Sequence, residues 1–367
     1  MSIKVLFVGN YDIAVHNIRP EAEVLIGLKQ QGLDVEVMTQ GQCWYAERMR
    51  SFDIRIHDFT PARKFSLEAI RRIRAVLKAG KHDVIHLFNN KAIVSGIFGS
   101  LGLPTKVVTY RGQTGNIYWY DPSCYLTHLS PRVDKIVCVA NAVRDDLRNQ
   151  MLDKSRPVTI YKGHDLDWYE QTEPADLSEF GIPDDAFVLG CVANNRPRKG
   201  VPVLIESTRY LPVDLPIHIL LVGSGMDSPE IRELIDASQM ADRIHTLGYR
   251  EDIPALISAC SASVLPATKR EGLPKTVIES MVYGIPPIVS ATGGSPELVV
   301  HGESGLVVPP SDRHGLAAAI VEMASDKDRR AEWGKNARER IRSHFNVRDS
   351  IRQHRELYET LTGKSVQ

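Results

Sequence analysis

The sequence predicts an α/β protein built as two doubly wound, Rossmann-like domains that face each other across a cleft. Three observations predict it. Short Val/Ile/Leu-rich runs alternate with amphipathic stretches, the runs show little polar alternation, and the pattern restarts after residue 180. Apolar runs without alternation suit strands buried on both faces, as in a parallel sheet covered by helices. At 367 residues the chain exceeds one ordinary core and fits two domains of roughly 150–200 residues.

The elements follow in order. Candidate strands in the first half are 3–9, 33–39, 83–88, 106–110 and 135–139; in the second they are 187–193, 217–223, 244–248, 262–266 and 287–290. "SLEAIRRIRAVLKAG" (66–80) and "SPEIRELIDAS" (228–238) are helical segments of ordinary length between them. The stretch 165–186 is acidic, contains proline and lacks apolar periodicity, so it reads as the hinge. The expected domains are 1–168 and 169–344, with a C-terminal helix at about 345–361 packing back onto the first. Ligands belong outside the carboxyl ends of the strands.

Composition narrows the class. No apolar run reaches the ~18 residues of a membrane span, and the nearest, 93–103, is broken by Gly96, Gly99 and Gly102. "MSIKVLFVG" runs straight into a strand, unlike a signal or transit peptide. The five cysteines are scattered without ligand spacing, which favours a reduced, cytoplasmic protein. Net charge is zero, yet residues 1–168 carry 23 Lys+Arg against 17 Asp+Glu, and the remainder 22 against 28. No basic stripe is interleaved with aromatics, so nucleic acid is not an expected partner.

Familiar motifs are absent from the strand ends. The first reads "VGNYDIAVH" and a later one "VGSGMDS", neither of them the Gly-x-Gly-x-x-Gly of dinucleotide binding. No P-loop, nucleophile elbow or zincin pattern occurs. "DLD" (165–167) has the form of an Asp-x-Asp metal clamp, but it falls in the hinge, where a solvated turn is the favoured reading.

The segment 262–290 reads strand, loop, helix, turn, strand. Glu271 lies in the loop with Gly272, Leu273 and Pro274, and Glu279 lies inside the helix. Carboxylates so separated suit two hydroxyl-bearing parts of one long ligand. In "ATGGSPEL", Gly293 and Gly294 permit close backbone approach, and a helix starting near Ser295 points its N–H groups toward a phosphate. Glu297 either joins the site or favours the start of that helix.

These residues carry a resemblance. "EGLPKTVIES…YGIPPIVS…GGSPELV…GESGLVVPPSD" (271–312) is similar to the signature of the retaining glycosyltransferases of family 4, which have the GT-B fold. "IHTLGYREDIPALISACSASVLP" (244–266) resembles the stretch before their Glu-x7-Glu motif, and "RPRKGVPVLIES" (196–207) their phosphate-binding Lys-Gly segment. The resemblance implies transfer of a hexosyl-type group from a nucleotide sugar to a hydroxyl of a glycan or lipid-linked acceptor, in assembly of a bacterial envelope or exopolysaccharide. It implies retention of configuration, no metal and no other cofactor. The first domain then takes the acceptor and the second the donor. Glu271 contacts the donor sugar and Glu279 its ribose, while Lys199 and Arg196 neutralise the diphosphate. Gly9, Asn10 and Gly223 form loops that approach the ligands.

Two departures stand out. Relatives place an arginine five positions before the lysine, where this chain has Asn194; Arg196 is only three before. Many relatives carry a histidine after the fifth strand, where "VVTYRGQTGN" has Arg111. An arginine is no base at neutral pH, so it is a candidate for binding acceptor or phosphate. His86, at a strand end, is the alternative polar group, or else a core histidine. "RKFSLEAIRRIRAVLKAGKH" (63–82) has seven Lys/Arg against one acid and reads as a helix with a solvated basic face, or as a surface that meets anionic membrane at its inner face. The aromatic loop 115–131 stacks on a sugar acceptor or caps the cleft. Two other functions stay open: a different reaction on nucleotide sugars (epimerase, hydrolase or phosphorylase), and a non-catalytic nucleotide-sugar-binding partner.

Overall fold

The computed structural model describes residues 2–12 and 15–366, without the side chains of His16 and Asn17. It forms two compact units, each described by itself. One holds the chain up to His164 together with everything from Phe345 onward; the other holds Asp165–His344.

The first unit contains β1 (Lys4–Val8), β2 (Asp34–Thr39), β3 (Arg55–Asp58), β4 (Val84–Leu87), β5 (Lys106–Arg111), β6 (Lys135–Cys138) and β7 (Pro157–Thr159). They form one sheet in the order β3-β2-β1-β4-β5-β6-β7, paired in parallel. The second contains β8 (Phe187–Val192), β9 (Ile217–Val222), β10 (Ile244–Gly248), β11 (Ala262–Leu265), β12 (Pro287–Ser290) and β13 (Leu306–Val308), ordered β10-β9-β8-β11-β12-β13 and again parallel. Each order reverses once, between β1 and β4 and between β8 and β11. A crevice opens at such a reversal because the neighbouring crossovers leave on opposite faces.

The ten predicted strands are present, and three were missed: β3, β7 and β13. All three are sheet edges of three or four residues. An edge strand buries few side chains, as the half-exposed Arg-Ile-His-Asp of β3 shows, so its apolar signal is weak.

The expected hinge is also different. Residues 165–186 are largely docked on the second unit: Ala175, Leu177, Phe180, Ile182 and Ala186 pack against Val188, Leu220, Val222 and Leu256. Apolar residues at irregular intervals serve two single-turn 3-10 helices, Leu166–Tyr169 and Leu177–Phe180, so no single period appears. Asp165 of "DLD" accepts from the backbone N–H of Asp167 at 3.2 Å, a local turn. The chain passes between the units at 164–165 and 344–345. There His164 and Asn346 form a parallel bridge, with His164 N to Phe345 O at 2.7 Å and Val347 N to His164 O at 2.9 Å. The final helix, Val347–Thr362, then packs along Val15–Gln30, so closely that a Cβ at Gly27 would stand 2.2 Å from Ile351 Cδ1.

Candidate active site

Three loops at the carboxyl ends of the second sheet meet at Glu271, and a fourth braces one of them. The loop after β8 is a 3-10 turn, Pro197–Lys199, ended by Gly200 at φ 72°. A Cβ on Gly200 would lie 1.9 Å from Pro266 O, and Thr268 N donates to Arg198 O at 2.8 Å, which locks this loop to the one after β11. Arg270 sits at φ 61°, costly for a residue with a Cβ. That turn lets Arg270 O accept from Arg198 Nη1 at 3.1 Å and tucks Glu271 inward, only 4% exposed.

A carboxylate so buried needs partners. Lys199 Nζ is 2.9 Å from Glu271 Oε1, and Arg198 Nη1 is 3.4 Å from the same oxygen. The loop after β12 supplies the far wall. Gly293, at φ 53°, has no room for a side chain, since a Cβ would lie 2.0 Å from Glu271 O. Gly294 N donates to Gly272 O at 2.8 Å. Gly223, after β9, is likewise pressed on the β8 loop, its Cβ position 2.0 Å from Ala193 O.

Glu279 lies in the helix Lys275–Val282, which begins after Pro274. It is 1% exposed, so it is no helix-surface acid, and Lys275 Nζ one turn earlier pairs with it at 2.7 Å. Lys275 was not singled out in the sequence; its i,i+4 spacing from Glu279 is the signal that finds it. Arg198, also not singled out in the sequence, stands beside Glu271, whereas Arg196 was the arginine expected at the diphosphate. Arg196 is exposed at the start of the 3-10 turn and enters no ion pair among the described residues. Pro197 separates the two, Arg196 capping the 3-10 turn and Arg198 lying inside it. Asn194 Oδ1, at the position of the family arginine, accepts from Ser224 N at 3.3 Å. The helix expected after Gly294 is a single turn, Ser295–Leu298, too short to gather a strong dipole.

In the first unit Gly9 is buried after β1, and Asn10 Oδ1 accepts from Asp12 N at 3.1 Å. Arg111 closes β5, 7% exposed. His86 is different: it is fully buried, stacked on Phe88, with Nδ1 2.7 Å from Tyr358 Oη of the final helix. Burial holds its pKa well below the usual imidazole range. The C-terminal helix covers it, which removes His86 from the acceptor or phosphate candidates.

A model of glycosyl transferases group 1 matches residues 173–340, and one of glycosyltransferase family 4 matches residues 22–168. The chain belongs to the family 4 glycosyltransferases. This glycosyltransferase is 26% identical over 257 residues to N-acetyl-alpha-D-glucosaminyl L-malate synthase of Bacillus anthracis, covering 69% of this chain and 67% of that one. It is 24% identical over 314 residues to a UDP-Gal:alpha-D-GlcNAc-diphosphoundecaprenol alpha-1,3-galactosyltransferase of Escherichia coli, covering 80% and 79%. Among solved structures, a glycosyltransferase from Rickettsia africae matches with a TM-score of 0.83 at 20% identity, over 99% of this chain and 100% of that one. An Anabaena protein in complex with UDP-glucose matches with 0.77 at 20% identity, over 98% and 100%. At these identities the structures establish the GT-B fold of the glycosyltransferase.

Proposed function

We propose that the glycosyltransferase moves a hexosyl-type sugar from a nucleotide-sugar donor to a hydroxyl of a glycan or glycolipid acceptor, with retention of configuration. The observation that carries this reading is the grouping of Glu271, Lys199 and Arg198 where the strand order of the second unit reverses. A nucleoside diphosphate leaving group gathers negative charge as it departs, and two preorganised cations stabilise that charge. The same cations make a divalent metal unnecessary in the proposal. Glu271 then receives the donor-sugar hydroxyls, Glu279 the ribose, and the Gly293–Gly294 turn the phosphates between them. The acceptor attacks from the face the leaving group vacates, and the leaving phosphate takes the acceptor proton.

Envelope assembly is supported by the relative whose name specifies a diphosphoundecaprenol acceptor. No described helix is long and apolar enough to cross a membrane. Peripheral contact is proposed through the helix Leu67–Gly80, with Arg71 and Arg72 exposed on it and Phe65 and Leu67 exposed at its start. Vesicles with and without anionic lipid test it.

A panel of UDP-, GDP-, ADP- and CMP-sugars, screened by thermal shift and followed by product NMR, tests the reaction. The expected result is stabilisation by one class and an anomeric centre of unchanged configuration. Glu271→Ala is expected to abolish transfer while leaving nucleotide binding largely intact. Stabilisation by none of the four classes, or transfer that survives Glu271→Ala, would overturn the reading.

A further inference from the structure

Arg111 is a buried cation that forms no ion pair among the described residues of the first unit. A guanidinium carries five N–H donors. Among the described residues only Gly115 O accepts from Arg111, through Nη2, and Nε is buried with no partner. Asp146, the carboxylate whose field reaches it, forms no ion pair with it, and its Oδ2 accepts from Gly115 N at 2.7 Å. Gly115 and Asn116 both take left-handed backbone, φ 73° and 61°, which bends the loop back so that Gly115 meets both groups. Burial depresses the Arg111 pKa, the direction of a cation that its surroundings do not compensate. Such a group costs free energy until an anion joins it.

Its place in the fold suits a ligand. Arg111 is the last residue of β5, which pairs with β4, and β4 adjoins the reversal point beside β1. It therefore stands on the carboxyl rim of the sheet, in the half of the chain with excess positive charge. The planar fork matches a carboxylate or a phosphate, and it cannot serve as a base.

We propose that Arg111 receives an oxyanion of the acceptor, so that this enzyme glycosylates an acidic acceptor bearing a carboxylate or a phosphate. The inference rests on the glycosyl-transfer reading above for the word acceptor, and on the buried guanidinium for the anion.

The test is calorimetric titration of the UDP-saturated protein with glycerol 3-phosphate in one arm and L-malate in the other, with glycerol as the neutral control. One of the two anions is expected to bind, and the arm that binds identifies phosphate or carboxylate. Arg111→Met is expected to weaken that binding by about tenfold to a hundredfold, and Arg111→Lys less. UDP titration and thermal melting of both variants show that they are folded. Binding of neither anion, binding of glycerol as tight as of the anions, or binding unchanged in Arg111→Met overturns the proposal. If no nucleotide or nucleotide sugar binds, the transfer reading falls, while the anion arms run without nucleotide still decide Arg111.

Discussion

Lys199 Nζ lies 2.9 Å from Glu271 Oε1, the lysine side chain 19% exposed and the glutamate 5%. Removing one partner of such a pair leaves the other charge poorly solvated, whereas removing both does not. Lys199→Met and Glu271→Gln are each expected to lower stability by about 1–3 kcal/mol, and the double variant by less than their sum. Urea unfolding of the four proteins, without donor, measures the coupling. Strict additivity would mean that Arg198 or solvent, not Lys199, carries the Glu271 charge.

Gly293→Ala places a methyl group against Glu271 O and forces left-handed backbone on alanine. The chain must shift at Glu271 to accept it. Stability is expected to fall by about 1–3 kcal/mol, with a larger proportional loss in kcat than in nucleotide affinity. Equal losses in both would show that the turn serves the nucleotide rather than the carboxylate.

The two buried glutamates are expected to separate in binding experiments. Glu279→Gln weakens binding of the nucleotide that the panel identifies by about tenfold, the value of one charge-assisted hydrogen bond. Glu271→Gln leaves that affinity near wild type and removes transfer. Calorimetry with that nucleotide, beside transfer assays, reads both, and the reverse pattern would exchange their roles.

Acid stability is expected to decline in two steps. Burial depresses His354 to about 4 and His128 to about 3, from an ordinary 6.5. For a depressed folded pKa the stabilisation is full above the unfolded value, so it is lost as pH falls from about 6.5 toward 4. Each group contributes a loss of about 2 kcal/mol by pH 5, at about 1.4 kcal/mol per pH unit. Glu36 acts lower. Its burial alone would raise its pKa, but hydrogen bonds from Lys4 and His57 outweigh that and bring it to about 2 from 4.5, so its contribution disappears between about pH 4.5 and 2. Urea midpoints at pH 7.5, 6 and 5 test the first step, and His354→Phe is expected to flatten it.

Tyr358→Phe removes the hydrogen bond to His86 Nδ1, whose Nε2 already lacks a partner among the described residues. A loss of about 1–3 kcal/mol is expected from a buried imidazole left unsatisfied, with kcat unaffected. A changed kcat at equal stability would return His86 to the site.

The Gly-rich turn, Glu271 and Glu279 were legible because motif and backbone need coincide there: a Cβ on Gly293 would stand only 2.0 Å from Glu271 O, so the position requires glycine. Arg198 was less legible. Three basic or proline neighbours share one short turn, and which arginine points inward depends on the φ of Arg270, seventy residues on. The edge strands and the docked linker escaped because half-exposed or irregular segments carry no period.

The sequence by itself determined the α/β class, the repeat of that architecture, the family and the two glutamates, since these depend on local periodicity and on residues close along the chain. Only the tertiary structure decided that Arg198 rather than Arg196 meets Glu271, that His86 lies beneath Tyr358, and that Arg111 forms no ion pair among the described residues. Those outcomes depend on pairs far apart in sequence, brought within hydrogen-bond reach by the packing of parallel strands and by the return of the last helix to the first unit.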